Sequence, residues 1–248
     1  MSPTLSVITA TYNAENYLPS LIESLYSQTD QDFEWVVADG GSKDKTIELI
    51  KQAQQKLKRV VIQSQSDFGI YDALNRAVKL ATGEYYLVLG ADDILFPDAI
   101  ANYKAACART NADFVTTLYY EGSKRLASLH QPAWEWFSGM HAHITGHTVG
   151  TVIRRSLHQT FGEYSRHFPI AADQLFVLKA IHGGATVSLE NFIAGRTNPE
   201  STTGQNPLGC LLELYRVKVM VGHSLLLQTL VLFYQIVIWW PQIRKARA

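Results

Sequence analysis

Two cysteines, Cys107 and Cys210, are all that the 248-residue chain contains. They lie too far apart to suggest a disulfide framework or a zinc knuckle, and they read as small buried hydrophobes suited to a reducing compartment. A surplus of one charge is missing too. Lysine plus arginine number 22, and so do aspartate plus glutamate, so no basic excess argues for nucleic acid as a partner. There is no G-x-G-x-x-G, which counts against a dinucleotide-binding oxidoreductase. No internal repeat or low-complexity tract occurs. Residues 1–5 carry neither the basic start nor the long apolar stretch of a secretory signal, so a cytoplasmic location is expected.

With 47% hydrophobic and 18% charged residues, the chain can build a sizeable core in one large α/β domain, or in one domain with a small appendage. Short apolar strand patterns at 5–9, 33–38, 60–62 and 85–89 alternate with helical spacings at 17–26, 45–57 and 70–80. That alternation predicts βαβ units and a central, mostly parallel sheet flanked by helices. Further on, Pro97 opens a helix to about residue 107, residues 114–119 read as a strand, and 171–182 as a helix. Residues 122–147 show no period, and 195–209 read as a mobile loop.

Ligands bind such sheets beyond the carboxyl ends of the strands. Polar groups cluster at four of those ends: Thr11-Tyr12-Asn13, Asp39-Gly40-Gly41-Ser42, Asp67-Phe68-Gly69 and Asp92-Asp93. Adjacent carboxylates after an apolar strand are costly unless a positive charge compensates them. A divalent cation carrying a diphosphate is a natural candidate, because Mg²⁺ and Mn²⁺ take oxygen ligands and share them with phosphates. A solvated turn is the alternative. Asp72, Asn75 and Arg76 stand at i, i+3 and i+4 and so share a helical face.

The residues 6–13 (SVITATYN), 39–42 (DGGS), 67–75 (DFGIYDALN), 83–84 (GE) and 91–93 (ADD) together resemble glycosyltransferase family 2, the inverting enzymes of GT-A fold. The resemblance covers about the first hundred residues and returns at 154–157 and 170–176. It implies transfer of a sugar from a nucleotide diphosphate sugar to a saccharide or lipid-linked saccharide acceptor, assisted by Mg²⁺ or Mn²⁺, in cell-surface polysaccharide or glycolipid assembly. Under it Thr11, Tyr12, Asp39, Asp67, Gly69, Asp72, Asn75, Arg76 and Asp92 serve the donor: Tyr12 stacks on the base, Asp39 accepts its ring N–H, and Arg76 reaches the diphosphate. Asp93 ligates the metal, and Asp92 approaches the ribose and the metal's water shell. Asp173, opening a helix, is the implied catalytic base; many members carry Glu-Asp where this chain has Ala172-Asp173. Two other readings remain, a non-catalytic nucleotide-sugar-binding scaffold and a sugar nucleotidyltransferase.

His141, His143 and His147 lack a Cys or acidic partner at metal-ligand spacing and read as surface or loop histidines; the family resemblance implies that His147 lines the acceptor cleft. Arg196 and the loop 197–205 are expected to close over the diphosphate. The division expected is a nucleotide-sugar half (1–110), an acceptor half (111–205) and an apolar helical tail (206–248). Residues 225–240 are strongly apolar and end in Trp239-Trp240, Arg244, Lys245 and Arg247. That tail reads as a helix lying on the membrane surface, as a packing or oligomerisation element, or as a span.

Overall fold

The computed structural model describes residues 5–126, 130–198 and 206–246. The expected alternation is present as β1 (Leu5–Thr11), α1 (Leu18–Tyr26), β2 (Glu34–Asp39), α2 (Thr46–Ala53), β3 (Val60–Ser64), α3 (Ile70–Leu80) and β4 (Tyr85–Val88). There follow β5 (Ile94–Leu95), α4 (Ala99–Thr110), β6 (Phe114–Glu121), β7 (Lys124–Leu126), α5 (Glu135–Ser138), β8 (Thr151–Arg154), α6 (Leu157–Phe161), α7 (Ala172–His182) and β9 (Val187–Thr197). Three helices close the described chain: α8 (Pro207–Met220), α9 (Leu225–Ile238) and α10 (Trp240–Lys245).

The strands form one sheet in the order β3-β2-β1-β4-β8-β6-β9-β5, with β7 paired to β6. β3, β2, β1 and β4 are parallel. Beyond β4 the sheet is mixed: β8 runs antiparallel to β4 and β6, β9 parallel to β6, and β5 antiparallel to β9. Successive side chains of a strand point to opposite faces, so each strand feeds two cores. Val7, Trp35, Val37 and Leu87 pack on one face against Leu18, Leu21, Ile50, Ile100 and Tyr103 from α1, α2 and α4. Ile8, Val36, Ala38, Tyr86 and Val88 pack on the other against Ala73, Leu74, Leu175 and Leu178 from α3 and α7. Burial on both faces is why these strands read as apolar runs rather than as alternation.

Two expectations change. Residues 195–197, read as loop, end strand β9, and α8 begins at Pro207. Gly195 misled the reading: it serves close approach, since a Cβ there would lie 2.2 Å from the Ile94 carbonyl oxygen of β5. Most of the proposed closing loop, 199–205, lies outside the described residues. The apolar tail is helical, but α9 stops after 14 residues and the chain turns at Trp239 into α10, which carries Pro241 in its first turn. Among the described residues no helix is long and apolar enough to cross a membrane.

Candidate active site

Parallel register brings the first three strand ends into line: Thr11 lies opposite Asp39, and Asp39 opposite Ser64. The Asp39 carboxylate is fully buried and accepts from the hydroxyls of Thr11 (3.1 Å), Ser64 (2.6 Å) and Ser42 and from the Gly41 and Ser42 N–H groups (2.9 Å each). Burial alone would raise its pKa, but these bonds outweigh it and hold the carboxyl below its ordinary value. Asp39 therefore shapes the turn after β2, and accepting a base N–H as well requires one hydroxyl to swing away. Thr11 is spent on Asp39. Ser42 and Ser64 carry as much of this geometry as the residues singled out from sequence, and only the register reveals Ser64.

Tyr12 is 67% exposed and Phe68 88% exposed, which rules out core packing for either ring. Both lie on this rim. A side chain added at Gly40 would meet Asp67 Oδ2 at 2.8 Å and the Tyr12 ring at 3.3 Å, so three of the four polar clusters converge there. Asp67 accepts from the Gly69 N–H (3.1 Å) and from Arg76 Nη2 (3.1 Å), and Gly69 turns into α3 with φ of 112°. Arg76 also reaches the Asp39 carbonyl (3.3 Å), while its Nε and Nη1 are buried without a partner. Such orphan donors cost about 1–3 kcal/mol until something accepts from them.

The expected face of Asp72, Asn75 and Arg76 is divided. Asp72 pairs with Arg166 at 2.5 Å, and the Asn75 amide exchanges two 2.9 Å bonds with the Tyr164 backbone. These two hold the 164–166 segment against α3; Asp72 also accepts from the Phe68 N–H at 3.4 Å, and Arg76 turns to the rim formed by Tyr12 and Asp67.

After β4, Asp92 is partly exposed whereas Asp93 is 1% exposed. The Asp93 Oδ2 accepts from the Gly90 N–H (2.8 Å) and stands 3.9 Å from His147 Nδ1. Burial pushes this carboxyl up to about 6; His147 and the Gly90 N–H act against that rise and Asp92 adds to it. Among the described residues no group of three or more His, Cys, Asp or Glu side chains could hold a metal ion by itself. A hard cation that shares its shell with a diphosphate needs only one or two carboxylates, and a buried, poorly compensated carboxylate beside a second one suits it. Arg196 is set opposite Ile94, one residue beyond Asp93, by strand pairing rather than by a mobile loop.

Asp173 occupies the first turn of α7 and is partly buried. Its Oδ1 accepts from the Gln174 N–H (2.8 Å) and lies 2.9 Å from the Tyr71 hydroxyl, which is equally close to the Ile170 carbonyl. Burial raises the Asp173 pKa, opposed by the Tyr71 bond, the Gln174 N–H and the charge of His141. Tyr71 was not singled out from sequence. It stands two residues after Gly69, so the first turn of α3 joins the Asp67 rim to Asp173. The segment 141–147 joins the two carboxylates in turn: His141 lies near Asp173 and His147 near Asp93.

His143 does have an acidic partner. Glu135 accepts from His143 (2.7 Å), His182 (2.8 Å) and His223 (2.8 Å), tying α5, α7 and the α8–α9 turn together.

A "PGL/p-HBAD biosynthesis glycosyltransferase" of Mycobacterium bovis (strain BCG / Pasteur 1173P2) is 42% identical over 106 residues, 42% of this chain and 41% of that one. The "Chondroitin synthase" of Pasteurella multocida (strain Pm70) is 38% identical over 98 residues, 40% of this chain and 10% of that one. The matched stretch thus spans less than half of the length of these curated relatives. Among solved structures, the mannosyltransferase PcManGT of Pyrobaculum calidifontis with GDP-Man and Mn²⁺ superposes with a TM-score of 0.70 at 18% identity, covering 100% of this chain and 74% of that one. S. aureus TarS 1–349 with UDP-GlcNAc gives 0.69 at 19% identity, covering 99% and 79%. These share the GT-A fold with this chain. The sequence profile described as "Glycosyl transferase family 2" matches residues 6–162, and the chain belongs to that family.

Proposed function

We propose that the chain transfers a sugar from a nucleotide diphosphate sugar to an acceptor hydroxyl, with inversion at the anomeric carbon. The observation that carries this reading is the pairing of two differently placed acids around one rim: Asp93, buried at the end of β4, and Asp173, held by Tyr71 from the first turn of α3. The base of the donor stacks on Tyr12, and the orphaned N–H groups of Arg76 supply unused donors beside it. Asp93, with Asp92 beside it, would hold Mg²⁺ or Mn²⁺, which when bound neutralises charge on the diphosphate. Arg196, exposed next to this position, adds a fixed positive charge. On the acceptor side, Tyr71 and the Gln174 N–H hold Asp173 by Oδ1, and Oδ2 takes the acceptor's proton as its oxygen attacks. A carboxyl above its ordinary value is a better base than an exposed aspartate. The relatives' names support a glycolipid or polysaccharide acceptor.

A thermal-shift panel of nucleotide diphosphate sugars with and without Mn²⁺ tests the donor side. Binding to the folded state alone raises apparent stability by mass action. One donor should raise the melting temperature in a metal-dependent way, and Tyr12→Ala and Asp93→Asn should each reduce the shift. A panel in which no donor shifts the chain contradicts the reading.

A further inference from the structure

The C-terminal helix α9 buries only Gln228 and Val231 and leaves most of its apolar side chains toward solvent. Gln228 faces inward, 1% exposed, and its Nε2 donates to the Trp136 carbonyl at 2.8 Å. Leu226, Leu230, Phe233 and Val237 face outward, exposed by 73, 60, 65 and 73%, and Trp240, 50% exposed, opens α10. The four on α9 are spaced 4, 3 and 4 residues apart, which places them along one stripe. Exposed apolar patches on this scale mark interaction sites.

The partner's chemistry can be read from charge. Residues 214–248 contain five lysines and arginines and no aspartate or glutamate, in a chain whose overall formal charge is zero. Lys218 is buried and Arg216 lies over the Phe168 ring, whereas Arg244 and Lys245 are exposed in α10, about one helical turn beyond Trp240. Tryptophans at the end of an apolar face, followed by cations, match the layering of a bilayer: acyl chains, interface, anionic headgroups. A second copy of the chain fits less well. The apolar stripe runs for only two heptads and α9 has no charged residue to flank a helix–helix seam, whereas coiled coils sustain three or four heptads with such charges.

We propose that α9 lies flat in the interface of an anionic bilayer, with Leu226, Leu230, Phe233 and Val237 in the acyl layer and Arg244 and Lys245 on lipid phosphates. At 1.5 Å per residue its 14 residues cover about 21 Å of membrane surface, and Trp134, 52% exposed on the adjoining segment, widens the contact. This inference does not depend on the sugar-transfer reading.

Vesicle flotation of the full chain tests it. The chain should float with phosphatidylcholine vesicles containing about one third phosphatidylglycerol. Each interfacial cation is worth about fivefold in binding, so R244Q/K245Q should bind these vesicles about 25-fold more weakly, and the unaltered chain should bind pure phosphatidylcholine more weakly still. L226E/F233E/V237E should abolish flotation while its melting temperature and donor-induced shift stay unchanged. Sedimentation velocity without lipid should show a monomer. A chain that stays at the bottom of the gradient, or binds neutral and anionic vesicles alike, overturns the proposal. So does a lipid-free dimer that L226E/F233E/V237E dissolves, which would show a second copy covering the face.

Discussion

Asparagine at position 173 should slow the proposed sugar transfer and stabilise the protein at once. Asp173→Asn keeps the shape of the side chain and keeps Oδ1 as acceptor for the Tyr71 hydroxyl and the Gln174 N–H. What it loses is an oxygen able to take a proton. A positioned general base is worth about 10²–10⁴-fold in rate, so kcat should fall by that factor while donor binding is retained. Stability should move the other way. Because burial leaves the Asp173 carboxyl above its ordinary value, the folded state favours the protonated acid. That preference helps folding below the ordinary value of 3.8 and is lost as pH rises through the raised one. Near neutral pH the charge is therefore a net cost, and the asparagine variant should melt higher, by about 2–4 °C for each kcal/mol relieved in a chain of this size. The gap should close as pH falls toward about 4. Scanning fluorimetry across that range, alongside nucleoside diphosphate release, reads both effects. Unchanged turnover would remove Asp173 from the mechanism, and a lower melting temperature near neutral pH would refute the burial argument.

Tyr71→Phe removes a bond that lowers the Asp173 pKa, so the acid limb of the rate–pH profile should move to higher pH. Loss of one hydrogen bond to a charged group should also cost roughly tenfold in kcat; a superimposable profile would count against the positioning role. Glu135 is pushed up by burial, but its bonds to His143, His182 and His223 outweigh this and hold it at about 2, below its ordinary 4.5. A depressed carboxyl contributes stability above its ordinary value and loses it as pH falls toward the folded one. Here that amounts to at most about 3 kcal/mol near neutral pH. Glu135→Gln should therefore lower the melting temperature by several degrees near neutral pH, with the deficit shrinking in acid; an unchanged midpoint would show the cluster to be dispensable.

The first half of the fold was legible because both faces of β1, β2 and β4 are buried, which leaves uninterrupted apolar runs bounded by polar strand ends. Of the later strands β6 was read at 114–119, but β8 and β9 were not. β8 and β9 are placed by pairing with β4 and β6, distant in sequence, and β9 carries Ser188, Glu190, Asn191 and Arg196 within it. The site divides in the same way. Tyr12, Asp67, Arg76, Asp92 and Asp93 stood out by position, whereas Asp72 and Asn75 shared their signal but are consumed by Arg166 and Tyr164, which only the folded chain brings near. Glu135 gathers histidines 8, 47 and 88 residues away, a pattern with no linear spacing to detect. The α9 apolar run was plain, but not its orientation, because the buried side is set by Gln228 together with Val231, and a polar residue facing inward leaves no apolar periodicity to read.

The most direct measurement follows the anomeric proton of the transferred sugar by ¹H NMR while the chain, a responsive donor and an acceptor react in Mn²⁺. Attack from Asp173's side, opposite the departing diphosphate, predicts a first product whose anomeric configuration is the reverse of the donor's, formed about 10²–10⁴-fold more slowly by Asp173→Asn. A product that keeps the donor's configuration, or one formed equally fast by the variant, would contradict the account.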